Sequence, residues 1–190
     1  TPDNLKISMG AHLVLPHHKI LDEIRENGDG AQGSTKAGIS FVAADKYLRE
    51  GARFEIINRP DELKERIIKG LKIAYEKSGQ KVTDTEIDKK ADEWIKTATS
   101  FKPFMTDTTA LVNGKIKDGK RILAEGAQAF WLDINHGMYP AVTSSSTTAT
   151  GLLDGLGLAP KHIGKVTGVT KAVKSHVGGG PLVTEITDEK

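Results

Sequence analysis

Residues 121–128 read Arg-Ile-Leu-Ala-Glu-Gly-Ala-Gln, a short apolar run that breaks at once into a glycine turn. An apolar run of this length, bounded by turn residues, has the pattern of a buried strand. Downstream, the small-residue stretch 147–156, interrupted by Gly151 and Gly155, reads as a helix, and 166–173 reads as a second strand that ends near Gly178-Gly179-Gly180. Strand, glycine turn, helix, strand is the rhythm of an α/β domain: a mostly parallel sheet flanked by helices, with ligands beyond the carboxyl ends of the strands.

Upstream, Leu5, Ile7 and Met9 alternate with polar neighbours as in a strand, and Ile20, Leu21 and Ile24 recur at helical spacing after Pro16 until Asn27-Gly28. Asn58 before Pro60 opens another helix, whose buried stripe is Leu63, Ile67, Ile68 and Leu71. Thr83 followed by Glu86 is a capping-box pattern, with Ile87, Ala91, Trp94, Ile95 and Ala98 as the apolar face that follows. A third helix is predicted over 103–117. Together these make 58–118 a helical insertion on a single α/β domain. Both ends of the chain read as cut, so 1–190 is expected to be the central part of that domain.

Composition excludes several function classes. With 27 basic and 25 acidic side chains the formal net charge is +2, too small for a broad electrostatic footprint toward nucleic acid or an anionic membrane. No apolar run approaches the roughly 20 residues that span a bilayer, and no signal-peptide pattern opens the chain. The absence of cysteine removes disulfides, thiolate metal sites and cysteine nucleophiles, and suits the cytoplasm.

Three segments carry chemistry. In 28–35 the glycines with Ser34 and Thr35 approach a P-loop, but no lysine stands between Gly33 and the hydroxyls, so a nucleoside-triphosphate loop is rejected. Backbone N–H groups and the Ser34 and Thr35 hydroxyls can still converge on one phosphate, with charge from Lys36, Lys46, Arg49 or Arg53. The plain alternative is a surface loop with solvated lysines. In the second segment, 125–148, Gln128 can read the edge of a base, and hydroxyl residues run without interruption from 143 to 148. Capping of the next helix accounts for one or two of these hydroxyls, and an anion site before a helix accounts for the run. The third segment, 177–181, is Val-Gly-Gly-Gly-Pro, which permits close backbone approach or is simply a turn. His136 stands beside a glycine without a catalytic partner and reads as structural. His17 and His18 lack metal-ligand spacing, and no metal site is expected.

The order and spacing of EGAQ (125–128), LDINHG (132–137), YPAVTSS (139–145) and VGGGPLVTE (177–185) resemble adenylosuccinate synthetase, whose stretches read EGAQG, LDIDHGTYP, VTSSNTT and RVGAGPFPTE. LVLPHHKILDEIRE, GSTKAGIS and KPFMTDTTALVN fall where that family has a helix, GTTGRGIGP and the approach to its strand, so the resemblance covers nearly the whole chain. It implies a P-loop-hydrolase-like architecture and GTP-dependent ligation of L-aspartate to inosine monophosphate (IMP), with Mg²⁺ as cofactor, in purine biosynthesis. It further implies that Thr35 and Thr143 bind the nucleotide phosphate, Gln128 the base, Leu132 a nearby atom through its backbone, and Val177 the ribose. Arg49 falls on the arginine lent to the neighbouring subunit's nucleotide, which implies a homodimer. The catalytic residues, the GTP-phosphate loop and most Mg²⁺ ligands are expected upstream, and guanine and aspartate recognition downstream.

The chain also departs from the family pattern. Lys36, Ala37 and Phe41 replace the family's glycine, arginine and proline, His176 stands at an arginine position, and Ala129 at a glycine position. Two further readings stay open on these grounds: a phage-type 2-aminoadenylosuccinate synthetase acting on GMP or dGMP, and an inactive nucleotide-binding relative. A purely structural α/β domain is the last alternative.

Overall fold

A two-residue strand, β1 (Ile7–Ser8), leads to Pro16, which opens helix α1 (Pro16–Glu26) in the computed structural model. Residues 1–173, 175 and 177–182 are described. Proline suits a first helical turn, where its missing N–H would be unpaired anyway. Helix α2 (Ile39–Leu48) follows the glycine-rich loop, and a 3-10 turn (Phe54–Asn58) delivers the chain to α3 (Pro60–Ser78). Gly79, at φ 69°, stops α3 in the left-handed conformation that glycine adopts without strain. Helix α4 (Asp84–Thr99) starts on the anticipated capping box, with the Thr83 side chain accepting from the Glu86 N–H and the Glu86 carboxylate accepting from the Thr83 N–H.

After a 3-10 turn (Lys102–Phe104), strand β2 (Met105–Thr106) pairs in parallel with β1, Ile7 opposite Met105 and Ser8 opposite Thr106. The Met9 N–H donates to the Thr106 carbonyl at 3.0 Å and extends this pairing by one bond. Helix α5 (Thr108–Lys117) begins five residues later than the 103 expected from sequence, because the Asp107 carboxylate accepts from the Ala110 N–H and sets the cap there. Helix α6 (Ala149–Leu156) matches the small-residue helix expected at 147–156.

The stretches 121–124 and 166–173, expected as strands, form no ladder among the described residues, with Leu123 93% and Val169 97% exposed. A strand is defined by a ladder partner as much as by its own residues. The two-stranded parallel sheet and six α-helices among the described residues make an α/β fold, richer in helix than the periodicity suggested. No helix among the described residues is long and apolar enough to cross a membrane.

Two compact units divide the chain, Thr1–Arg25 with Lys36–Leu123, and Glu26–Thr35 with Ala124–Lys190. The first holds the apolar core, in which Leu63, Ile67 and Leu71 of α3 are fully buried with Ala91 of α4, against Phe54, Ile56 and Ile57 of the 3-10 turn. At roughly 1.5–3 kcal/mol for each large side chain removed from water, this stripe stabilises the unit more than any polar pair in it. The second unit is built differently: its one fully buried side chain among the described residues is Asp133, an acid.

Candidate functional site

In the second unit the loop after α1 is pinned by a carboxylate. Glu26 accepts from the Gln32 N–H through Oε1 and from the Ser34 N–H through Oε2, both at 2.9 Å. Gly33 sits at φ 69°, and a Cβ there would lie 2.6 Å from the Gly179 nitrogen, so only glycine lets the two backbones touch. The contact is closed by the Gly179 N–H, which donates to the Gln32 carbonyl at 2.8 Å. Thr35, exposed two residues beyond, makes no hydrogen bond through its hydroxyl among the described residues.

The glycine run also reaches the hydroxyl-rich segment. Gly180 has φ 143°, and a Cβ on it would come within 2.5 Å of the Ala141 Cβ. Stretches 32–35, 178–180 and 141–143 therefore meet within one unit, with Thr35 two residues from one contact and Thr143 two residues from the other. Val177, expected at a ribose, is 73% exposed beside this run. His176 and residues 183–185 of the VGGGPLVTE stretch lie outside the described residues.

The run from 143 to 148 divides in two. Ser146 Oγ donates to Asp133 Oδ2 at 3.0 Å, so its oxygen is left to accept from Thr148 Oγ1 at 2.9 Å, which in turn accepts from Thr150 Oγ1 at 2.6 Å. Each hydroxyl has one proton, and this fixes the direction of the chain. Thr147 Oγ1 donates to the Ala129 carbonyl at 3.1 Å. Thr143, Ser144 and Ser145, by contrast, have hydroxyls with no partner among the described residues. Capping does not explain the ordered half either, since Thr148 precedes α6 without a side-chain cap bond.

Gln128 is exposed, unpartnered through its amide, and held at φ 63°. Leu132 has both backbone groups engaged, its N–H on the Ala129 carbonyl at 2.9 Å and its carbonyl accepting from the Thr143 N–H at 2.8 Å. A ligand can use only the second lone pair of that carbonyl. The residue that sequence reasoning passed over is Asp133. Its Oδ1 accepts from the N–H groups of Asn135 (2.8 Å) and His136 (3.0 Å), and its Oδ2 from Ser146 Oγ (3.0 Å) and the Thr147 N–H (2.7 Å). Burial pushes its pKa up, but the N–H groups of Asn135, Thr147 and His136 and the Ser146 hydroxyl outweigh that and hold it at about 2. The exposed His136 ring stacks on Phe130, centroids 6.1 Å apart.

Arg49 belongs to the first unit. It ends α2 at φ 65°, its N–H on the Lys46 carbonyl at 3.2 Å. Beside it lies a cavity of about 350 Å³ lined by His12, Lys46, Arg53, Arg59, Glu62 and Arg66. Arg59 and Arg66 share Glu62, whereas the Arg49 and Arg53 guanidiniums have no acidic partner among the described residues. His12 keeps a low pKa through burial and the charges of Lys46 and Arg53. Lys36, Arg49 and Gln128 are the non-glycine residues in left-handed backbone among those described. Such conformations cost roughly 1–3 kcal/mol and collect at functional sites.

One group of described residues, His17, His18 and Asp45, brings potential metal-ligand atoms within 4.8 Å of one another. It does not fit Mg²⁺, which takes oxygen ligands. His18 Nδ1 accepts the Leu15 N–H at 2.9 Å and leaves Nε2 to donate to Asp45 at 2.9 Å, so this ring offers no lone pair.

The family model for adenylosuccinate synthetase matches residues 1–190. The adenylosuccinate synthetase of Caldicellulosiruptor bescii is 43% identical over 98% of this chain and 45% of its own length. That of Clostridium botulinum is 41% identical over 99% of this chain and 45% of its own. The solved structure of fully ligated adenylosuccinate synthetase from Plasmodium falciparum superposes with a TM-score of 0.85 at 31% identity, covering 97% of this chain and 44% of that one. This chain thus spans a little under half the length of the relatives it matches. A match along every residue, the shared fold, and the glycine, glutamine and hydroxyl segments gathered in one unit together make this chain a member of the adenylosuccinate synthetase family.

Proposed function

We propose that the protein is a ligase of purine biosynthesis that joins L-aspartate to IMP at the expense of GTP, and that residues 1–190 supply its nucleotide-monophosphate site. The observation that carries this reading is the division of the hydroxyl run: Ser146, Thr147 and Thr148 are spent inside the protein, and Thr143 to Ser145 are unspent beside the glycine contact that also holds Thr35's loop. Hydroxyls and backbone amides around one anion suit a phosphate. Gln128, with one acceptor and two donors, suits the lactam edge of a purine. Leu132 adds its carbonyl, and Val177 lies against the sugar.

In the reaction that this assigns, GTP phosphorylates the purine oxygen and the aspartate amine displaces the phosphate. The residues described here bind and orient the purine. When bound, the proposed Mg²⁺ would supply positive charge to offset that of the phosphates, and most of its ligands are expected outside residues 1–190. Arg49, ending a helix in strained backbone without an acidic partner among the described residues, serves a second copy of the chain in a homodimer. The working location is the cytoplasm.

Calorimetric titration of IMP into the full-length protein tests the assignment. Thr143→Ala and Gln128→Ala should each weaken binding by about 1 kcal/mol or more, and unchanged affinity in both would sink it. Ala37, where the family has an arginine, favours a second reading, an inactive nucleotide-binding relative. IMP binding without turnover in the presence of GTP, Mg²⁺ and aspartate identifies that case, and turnover with GMP or dGMP instead of IMP identifies the phage-type activity.

A further inference from the structure

The second unit has no apolar side chain that is fully buried among its described residues, so something polar must hold its loops. Two backbone bonds clasp 132–134 to 143–145, Thr143 N–H to the Leu132 carbonyl at 2.8 Å and Ile134 N–H to the Ser145 carbonyl at 3.3 Å. Asp133 lies between those two bonds in sequence, and its carboxylate takes the next two residues of the same run, Ser146 and Thr147. Its other oxygen closes the turn through Asn135 and His136. Four donors on one fully buried carboxylate leave it no capacity for a ligand. Its effect must pass through the residues it holds.

We propose that Asp133 is the positioning residue of the nucleotide site: it locks the inner half of the hydroxyl run so that Thr143, at the outer half, keeps its register against Leu132 and the Gln128 turn. The proposal rests on the nucleotide reading of that site. Asparagine at 133 keeps the shape but loses two bonds if its NH₂ faces the Asn135 and His136 N–H groups; facing the other way it loses the Thr147 bond and forces the Ser146 hydroxyl to turn from donor to acceptor. Among the described residues of the unit no other side chain is fully buried to replace them.

The test is steady-state kinetics of the full-length synthetase carrying Asp133→Asn, Ser146→Ala or Thr143→Ala, with thermal melts alongside. Asp133→Asn should raise the KM for IMP about tenfold or more while the KM values for GTP and aspartate stay within about twofold. Ser146→Ala, which removes one donor of the four, should raise the IMP KM by a smaller factor with the same selectivity. A folded Asp133→Asn enzyme with an unchanged IMP KM overturns the proposal, as does an equal rise in all three KM values, the mark of general loosening. If Asp133→Asn fails to fold, Ser146→Ala decides: a selective rise supports the proposal and no change overturns it. Thr143→Ala keeps the two ideas apart. An effect there with a silent Asp133→Asn sinks only the positioning role, and silence in both sinks the nucleotide reading as well.

Discussion

Arg49 and His17 show how differently two polar side chains can be used. Arg49 is exposed and held in strained backbone, its guanidinium without an acidic partner among the described residues. If it meets a phosphate of a neighbouring copy, Arg49→Ala should weaken nucleotide binding by about 1.5–3 kcal/mol, the worth of hydrogen bonds to a charged group. Titration of the full-length protein checks this, and an unchanged dissociation constant removes Arg49 from the site. His17 is 8% exposed, its Nδ1 has no partner among the described residues, and burial together with the neighbouring His18 lowers its pKa to about 4. The unfolded chain takes up this proton below about pH 6.5 and the folded protein only near 4, so acid favours unfolding through that window. Going from pH 7.5 to pH 5 should cost roughly 1–2 kcal/mol through this residue, seen as a drop in urea midpoint that His17→Phe reduces. A midpoint with the same pH slope in both proteins would exclude His17 as the source.

At the scale of elements, what was legible in the sequence is what is local. The capping box at Thr83 and Glu86, the stripe of α3 and the small-residue helix α6 depend on residues within a turn or two of one another, and all stand as expected. Thr83→Ala removes the acceptor for the Glu86 N–H and should lower stability by about 1 kcal/mol, read from the urea midpoint; an effect below about 0.3 kcal/mol would mean that α4 is held by packing alone. Helix α2 was harder to see, because Ile39, Phe41, Val42, Ala43 and Ala44 crowd its first half and leave no stripe. The ladder partners of 121–124 and 166–173 are a non-local matter, which no local pattern can supply. The same applies within the candidate site. Gln128, Thr35 and Thr143 could be named from their segments, but Glu26 and Asp133 act by accepting backbone N–H groups whose convergence exists only after folding.

At the scale of the whole molecule, residues 1–190 correspond to 44–45% of the relatives' length. The glycine-rich loop that would hold GTP phosphates has no counterpart among them, since the one P-loop-like stretch lacks its lysine. Residues 1–190 on their own should therefore form no adenylosuccinate from IMP, GTP and aspartate. A coupled assay checks this, and any ligation above background would mean that the chemistry needs less of the protein than proposed. The exposed Leu123, Val166 and Val169 belong to the same scale, as apolar surface that a neighbouring element could cover.

The left-handed backbone at Arg49 and Gln128 bears on how this protein would respond to engineering. Glycine accepts that conformation without penalty, so replacing either residue by glycine relieves strain while deleting the side chain proposed to meet the nucleotide. A library ranked only by survival of heating would enrich such replacements and drift toward robust, idle proteins. Any hunt for hardier variants has to score substrate capture in the same round.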